Sequence, residues 1–102
     1  MKYASFKEFL TNTYELDELK DIAKFGCQGG VSGMIYYSET TDLYNFYCDD
    51  LHDILDQYKQ ETGEMPSYIV KNLNDGVQFR NAMVWFCAEY LAYELANSTE
   101  EA

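Results

Sequence analysis

Positive charge is scarce in this chain of 102 residues: seven Lys and Arg stand against 18 Asp and Glu, for a formal net charge of −11. A surface of that sign repels nucleic acid and anionic membranes, so direct binding to either is not expected, whereas basic protein surfaces are favoured. Proline is nearly absent, with the one copy at Pro66, and apolar residues make up 47% of the chain. That composition excludes a disordered chain and supplies material for a single core. No apolar run approaches the roughly 20 residues that span a bilayer. The N-terminal stretch MKYASFKEFL has neither the apolar core nor the cleavage site of a signal peptide, and the expected location is the cytoplasm of a host cell. Cys27, Cys48 and Cys87 are an odd number of cysteines, widely spaced and without CxxC. This excludes a disulfide framework and suits reduced thiols.

Nucleotide-binding motifs are missing as well. The stretch GCQGGVSGMIYY, residues 26–37, is rich in glycine, but a Walker A loop needs G-x-x-x-x-G-K-[ST], and no lysine occurs between Lys24 and Lys59. The dinucleotide pattern G-x-G-x-x-G is absent, and no βαβ unit surrounds the site. The glycines are therefore read as architecture. Gly26 closes a helix in a left-handed conformation, and Gly29, Gly30, Ser32 and Gly33 let the chain pass close to a neighbour before Met34-Ile35-Tyr36-Tyr37 plugs the core.

Helical periodicity runs through the rest of the chain. A first helix is expected from about Ala4 or Ser5 to Leu10, with Phe6, Phe9 and Leu10 inward. Thr11-Asn12-Thr13 offers caps for a second, Glu15–Phe25, that buries Leu16, Leu19, Ile22, Ala23 and Phe25. Ser38–Asp42 reads as a cap cluster for a third helix, Leu43–Glu61, closed by Gly63. One face of it carries Leu43, Tyr44, Tyr47, Leu51, Ile54, Leu55 and Tyr58; the other carries Asp42, Asp49, Asp53, Asp56 and Gln60. Pro66 starts a short helix, Ser67–Leu73. Asn74-Asp75-Gly76 turns the chain into a last helix, Val77–Ala96, apolar in nearly every direction and hence central. The expected fold is all-α: one compact bundle of about five helices over residues 1–97 around a buried C-terminal helix, with an acidic tail, residues 98–102, that frays.

Little of this composition suggests catalysis. His52 is the lone histidine, four residues after Cys48, and with Cys27 and Cys87 it makes a Cys3His set in principle, but no pair has knuckle spacing and Cys87 lies in a core-like run. Three buried thiols acting as small apolar groups is the better reading. A Cys48–His52 nucleophile pair lacks an oxyanion donor, and Asp49, Asp50 and Asp53 lack the EF-hand pattern. No cofactor, metal or enzymatic activity is expected. Ten tyrosines are present, and Tyr3, Tyr14, Tyr36, Tyr44 and Tyr68 are placed where partial exposure would suit an interface.

The successions IYYSETTDLYNFY and QFRNAMVWFCAEYLAYEL, within a match extending from Leu16 to Leu95, resemble a group of small acidic helical proteins encoded by bacteriophages, plasmids and their hosts. The resemblance implies a mobile-element setting and carries over no catalytic residues; the segment between Tyr58 and Asn74 is shorter here than in that pattern. The residues and the setting together lead to the expectation of a binding-only inhibitor of a host defence nucleoprotein complex, of the CRISPR or restriction type. Asp42, Asp49, Asp50, Asp53, Asp56 and Glu39, with Asp17, Glu18 and Asp21 nearby, would mimic nucleic acid in a basic groove of a host protein. Carboxylates one helical turn apart lie about 5–6 Å apart, comparable with the step between phosphates. The alternative is a structural or regulatory adaptor that forms homodimers through exposed tyrosines.

Overall fold

Helix α1 (Phe6–Thr13) begins where Ser5 accepts a hydrogen bond from the Glu8 backbone N–H at 3.1 Å, and Glu8 in return accepts from Ala4 N–H. This reciprocal cap satisfies donors that a helix start otherwise leaves open. The computed structural model describes residues 3–27 and 35–101. Thr11, Asn12 and Thr13, expected as caps for the next helix, belong to α1 itself. The side chains of Thr11 and Asn12 bond back to the carbonyls of Lys7 and Glu8, one turn earlier. Helix α2 (Leu16–Phe25) is instead entered through Glu15, whose backbone N–H donates to Glu18 Oε1 at 3.0 Å.

Gly26 ends α2 with φ +86° and ψ −169°, a region almost closed to residues with a Cβ. The abrupt change of direction leaves Phe25, expected in the core, 60% exposed with Lys24 Nζ 5.1 Å from its ring centre. Gly29, Gly30, Ser32, Gly33 and Met34 lie outside the described residues. Of the expected plug, Ile35 is buried while Tyr36 is exposed.

Helix α3 (Tyr37–Thr62) starts six residues earlier than Leu43. Glu39 accepts from Tyr36 N–H at 3.0 Å, so the cap lies upstream of Ser38–Asp42, and Thr40 turns inward instead. At Tyr47 the backbone leaves helical values, with φ −106° and ψ 22°, and α3 kinks. The displaced ring enters the core against Phe6 and Phe9, at centroid distances of 5.6 and 6.1 Å. Its hydroxyl donates to the carbonyl of Tyr3 at 3.2 Å. The kink is thus where α1 docks. Leu43, Leu51, Ile54 and Leu55 are buried as the periodicity predicts, and Gly63 closes the helix in the left-handed conformation.

Helix α4 (Ser67–Val70) is one turn, shorter than Ser67–Leu73. Beyond it the chain tightens into three-residue turns, with Asn72 N–H donating to Ile69 and Leu73 N–H to Val70. Asp75 then caps α5 (Gly76–Glu101), accepting from Gln78 N–H at 3.1 Å. The protein is all-helical over the described residues: four helices of eight residues or more and the single turn α4. None of the helices is long and apolar enough to cross a membrane, among the described residues.

Along α5 the eight consecutive residues Asn81–Ala88 are all buried, a run that covers every direction round a helix. Its main contacts are with α2 and α3, and α1 and α4 add smaller ones. Each fully buried Ile, Leu, Met or Phe in such a core contributes about 1.5–3 kcal/mol. Trp85 Nε1 donates to the Ile35 carbonyl at 2.8 Å, which ties the start of α3 to the centre. In the same run the Asn81 side-chain oxygen accepts a hydrogen bond from the Thr40 hydroxyl. The radius of gyration, 12.9 Å, matches the roughly 13 Å of a single 100-residue domain.

Candidate functional site: an acidic helix face and an aromatic cleft

The side chains of Asp42, Asp49, Asp53 and Asp56 are all exposed on α3. Among the described residues no hydrogen bond or ion pair reaches these four carboxylates. With about 100° per residue they share a narrow arc of the helix, but the kink at Tyr47 falls between the first and the rest. Asp42 therefore belongs to the N-terminal arm of α3, and Asp49, Asp53 and Asp56 to the C-terminal arm. A helical wheel merges the two arms into one stripe; the structure separates them.

Two further expected members have other partners. Asp50 is half-buried, and its Oδ2 accepts the backbone N–H of Phe6 at 2.8 Å, so this carboxylate caps α1. Glu39 is exposed but holds Tyr36 N–H. Asp17, Glu18 and Asp21 sit on α2, a helix that packs on α5.

A second feature, missed in the sequence, is a cleft of about 500 Å³ between the end of α3, Pro66-Ser67 at the start of α4, and α5. Tyr58, Phe86, Tyr90 and Tyr93 supply its aromatic surface, and Glu61, Glu89 and Glu94 its charge. Tyr58 stands nearly perpendicular to Phe86, with centroids 4.9 Å apart, and to Tyr90, at 6.2 Å. The Tyr90 hydroxyl donates to Glu61 Oε2 at 3.0 Å, while Glu61 Oε1 accepts from Gln57 Nε2 at 3.2 Å. Glu61 is thereby held from two sides. Burial, then the Glu61 hydrogen bond and the negative charges of Glu94 and Glu61, push the Tyr90 phenol up to about 12. The signal was present as Phe86, Tyr90, Tyr93 and Glu94 at three- and four-residue spacing on α5. It was hidden because a helix apolar in every direction reads as core throughout.

The thiols and the histidine do different work. Cys27 Sγ lies 3.8 Å from the Trp85 carbonyl and Cys87 Sγ 3.5 Å from that of Leu51. Burial pushes the Cys27 thiol up to about 12 and Cys87 also upward, so both stay protonated and unreactive near neutrality. His52 Nε2 is 3.1 Å from the Tyr44 hydroxyl. Among the described residues no three His, Cys, Asp or Glu side chains are close enough together to hold a metal ion. Of the tyrosines placed at an interface, Tyr36 is exposed and Tyr3, Tyr14 and Tyr44 are half-buried; the Tyr68 side chain lies outside the described residues.

These features define a small all-helical domain whose surface offers carboxylates and tyrosines. The chain belongs to the family described as a domain of unknown function, DUF7222, whose model matches residues 5–101. No curated protein and no solved structure matches it.

Proposed function

We propose that the protein acts by binding, without catalysis, and that the exposed carboxylates of α3 receive a basic surface of a partner that ordinarily holds nucleic acid. The observation that carries this reading is the set Asp42, Asp49, Asp53 and Asp56, exposed on one helix and without internal partners among the described residues. Side chains without partners inside the fold, two of which, Asp49 and Asp53, repel each other at four-residue spacing, are free to serve an external cation. Asp50 contributes charge to this face while capping α1, and Glu39 extends it toward Tyr36. In the mobile-element setting that the sequence resemblance implies, the partner is a host defence nucleoprotein complex of the CRISPR or restriction type, and the outcome is its inhibition in the host cytoplasm.

The test is retention of host proteins on the immobilised chain at low and high salt, beside Asp49→Asn/Asp53→Asn. A basic, nucleic-acid-handling protein held by the wild type at low salt, and lost in the variant, supports the reading. Equal retention by both overturns it. The exposed rings of Phe25, Tyr36, Phe46 and Tyr93 support a second reading, an adaptor that self-associates. Sedimentation would then show a concentration-dependent dimer indifferent to the aspartate substitutions.

A further inference from the structure

The cleft between α3 and α5 has features that the acidic face lacks. It is concave, it is lined by four aromatic side chains, and at about 500 Å³ it falls in the size range of ligand clefts. Three carboxylates line it from two helices, Glu61 from α3 and Glu89 and Glu94 from α5, and no Lys or Arg is among its lining residues. Glu61 and Glu94 act on the same group, the Tyr90 hydroxyl. A phenol has one proton to donate, and that proton goes to Glu61 at 3.0 Å. Glu94 thus adds negative charge beside Glu61, with no Lys or Arg among the lining residues to offset it.

We propose that this cleft is an arginine-binding site, filled by the guanidinium of an arginine in a flexible basic segment of a protein partner. Its plane lies against the Tyr58, Phe86 and Tyr90 cluster, Tyr93 covers it at the mouth, and its N–H groups pair with Glu61 and Glu94. The proposal rests on the reading of the protein as a binder of basic partners, but it uses none of the α3 aspartates.

The chemistry selects arginine over other occupants. An anion is repelled by the carboxylates, and a purely apolar ligand would strip them of water without replacement. A hard divalent ion needs a cage of oxygen ligands, and the described residues contain no such group. A guanidinium stacks on aromatic faces and pairs with carboxylates through a planar fork, and the ammonium of lysine does only part of this. The hydrogen bonds from Gln57 and Tyr90 hold Glu61 in place before binding, which lowers the ordering cost.

The experiment is an NMR titration of the ring resonances of Tyr58, Tyr90 and Tyr93 with a blocked Gly-Arg-Gly peptide, beside its lysine and citrulline analogues. Citrulline keeps the shape and removes the charge. The expected result is saturable shifts with the arginine peptide, weaker binding of the lysine peptide and none of the citrulline one. Glu61→Gln/Glu94→Gln should weaken arginine binding about tenfold or more, as expected when a charge-assisted contact is lost. Tyr93→Ala, which removes an exposed ring, should weaken it without disturbing the fold; unchanged amide shifts elsewhere check this. No saturable shift, or equal response to citrulline, overturns the site. Asp49→Asn/Asp53→Asn should leave the titration unchanged, and a loss of arginine binding there would assign the effect to the acidic face and overturn this proposal. Failure of the acidic-face reading is seen separately, in the lysate retention described above.

Discussion

The carboxylate of Asp50, on α3, accepts the backbone N–H of Phe6 at the first turn of α1, 2.8 Å away and 44 residues earlier in the chain. An aspartate that looks like part of a charged face is thus the tertiary cap of another helix. Replacing such a cap by Ala typically costs about 0.5–2 kcal/mol. Asp50→Ala is expected to lower stability by that amount in urea unfolding. Asp49→Asn and Asp53→Asn, which relieve a like-charge pair one turn apart, should leave stability unchanged or raise it by about 0.2–0.5 kcal/mol.

Thr40 and Asn81 form a buried polar pair between α3 and α5, and among the described residues Asn81 Nδ2 has no partner. Thr40→Val removes the hydroxyl and leaves Asn81 short of a second bond, at about 1–3 kcal/mol. The double variant Thr40→Val/Asn81→Leu should be less destabilised than the sum of the single ones. A double-mutant cycle measured by chemical denaturation checks the coupling.

Gly26 and Gly63 both have positive φ, at +86° and +78°, but they differ in ψ. Gly63 sits in the left-handed helical region with open space round the missing Cβ. Ala there should cost about 1–2 kcal/mol. Gly26 occupies the extended region that only glycine enters readily, so Gly26→Ala should cost more, up to about 3 kcal/mol. A Cβ at Gly26 would lie 3.5 Å from the Glu89 carboxyl, an ordinary contact, so backbone strain and not a clash decides the effect.

Alkaline pH should destabilise the protein through acids that lose their protons more readily in the unfolded chain. Cys27 is raised from 9.0 to about 12, and Tyr14 and Tyr90 from 10.0 to about 12, in each case chiefly by burial. For groups raised in the folded state, the unfolded chain loses the proton first. Their contribution is complete below about pH 9 and is lost as pH rises from 9 toward 12. Thermal unfolding against pH should fall across that window, and Cys27→Ala should flatten its lower part. Spectrophotometric titration should show late ionisation of two or more of the ten tyrosines.

Much of the fold is legible in the sequence because helical periodicity depends on local geometry. Leu43, Leu51, Ile54 and Leu55 face the core as their spacing predicts, and the apolar run of α5 is central. The starts of α2 and α3 are less legible. Thr13 and Ser38 are good caps by residue type, but Glu18 and Glu39 take the role by reaching back to the backbone N–H groups of Glu15 and Tyr36, three residues earlier. Phe25 is apolar and at core spacing, and it is nevertheless exposed because Gly26 turns the chain away. The acidic face is readable as a stripe; its division at Tyr47, and the use of Asp50 as a cap for α1, are not.

Composition and periodicity by themselves determine an acidic, all-helical domain with a central C-terminal helix, because charge is a sum and amphipathicity is a local repeat. Tertiary structure decides the rest. It bends α3 where Tyr47 meets Phe6 and Phe9, and it assigns Asp50 to α1. It also brings Tyr58 and Glu61 to Tyr90 across 29 or more residues of chain. Contacts between distant residues depend on how helices dock, and no repeat within one helix encodes them.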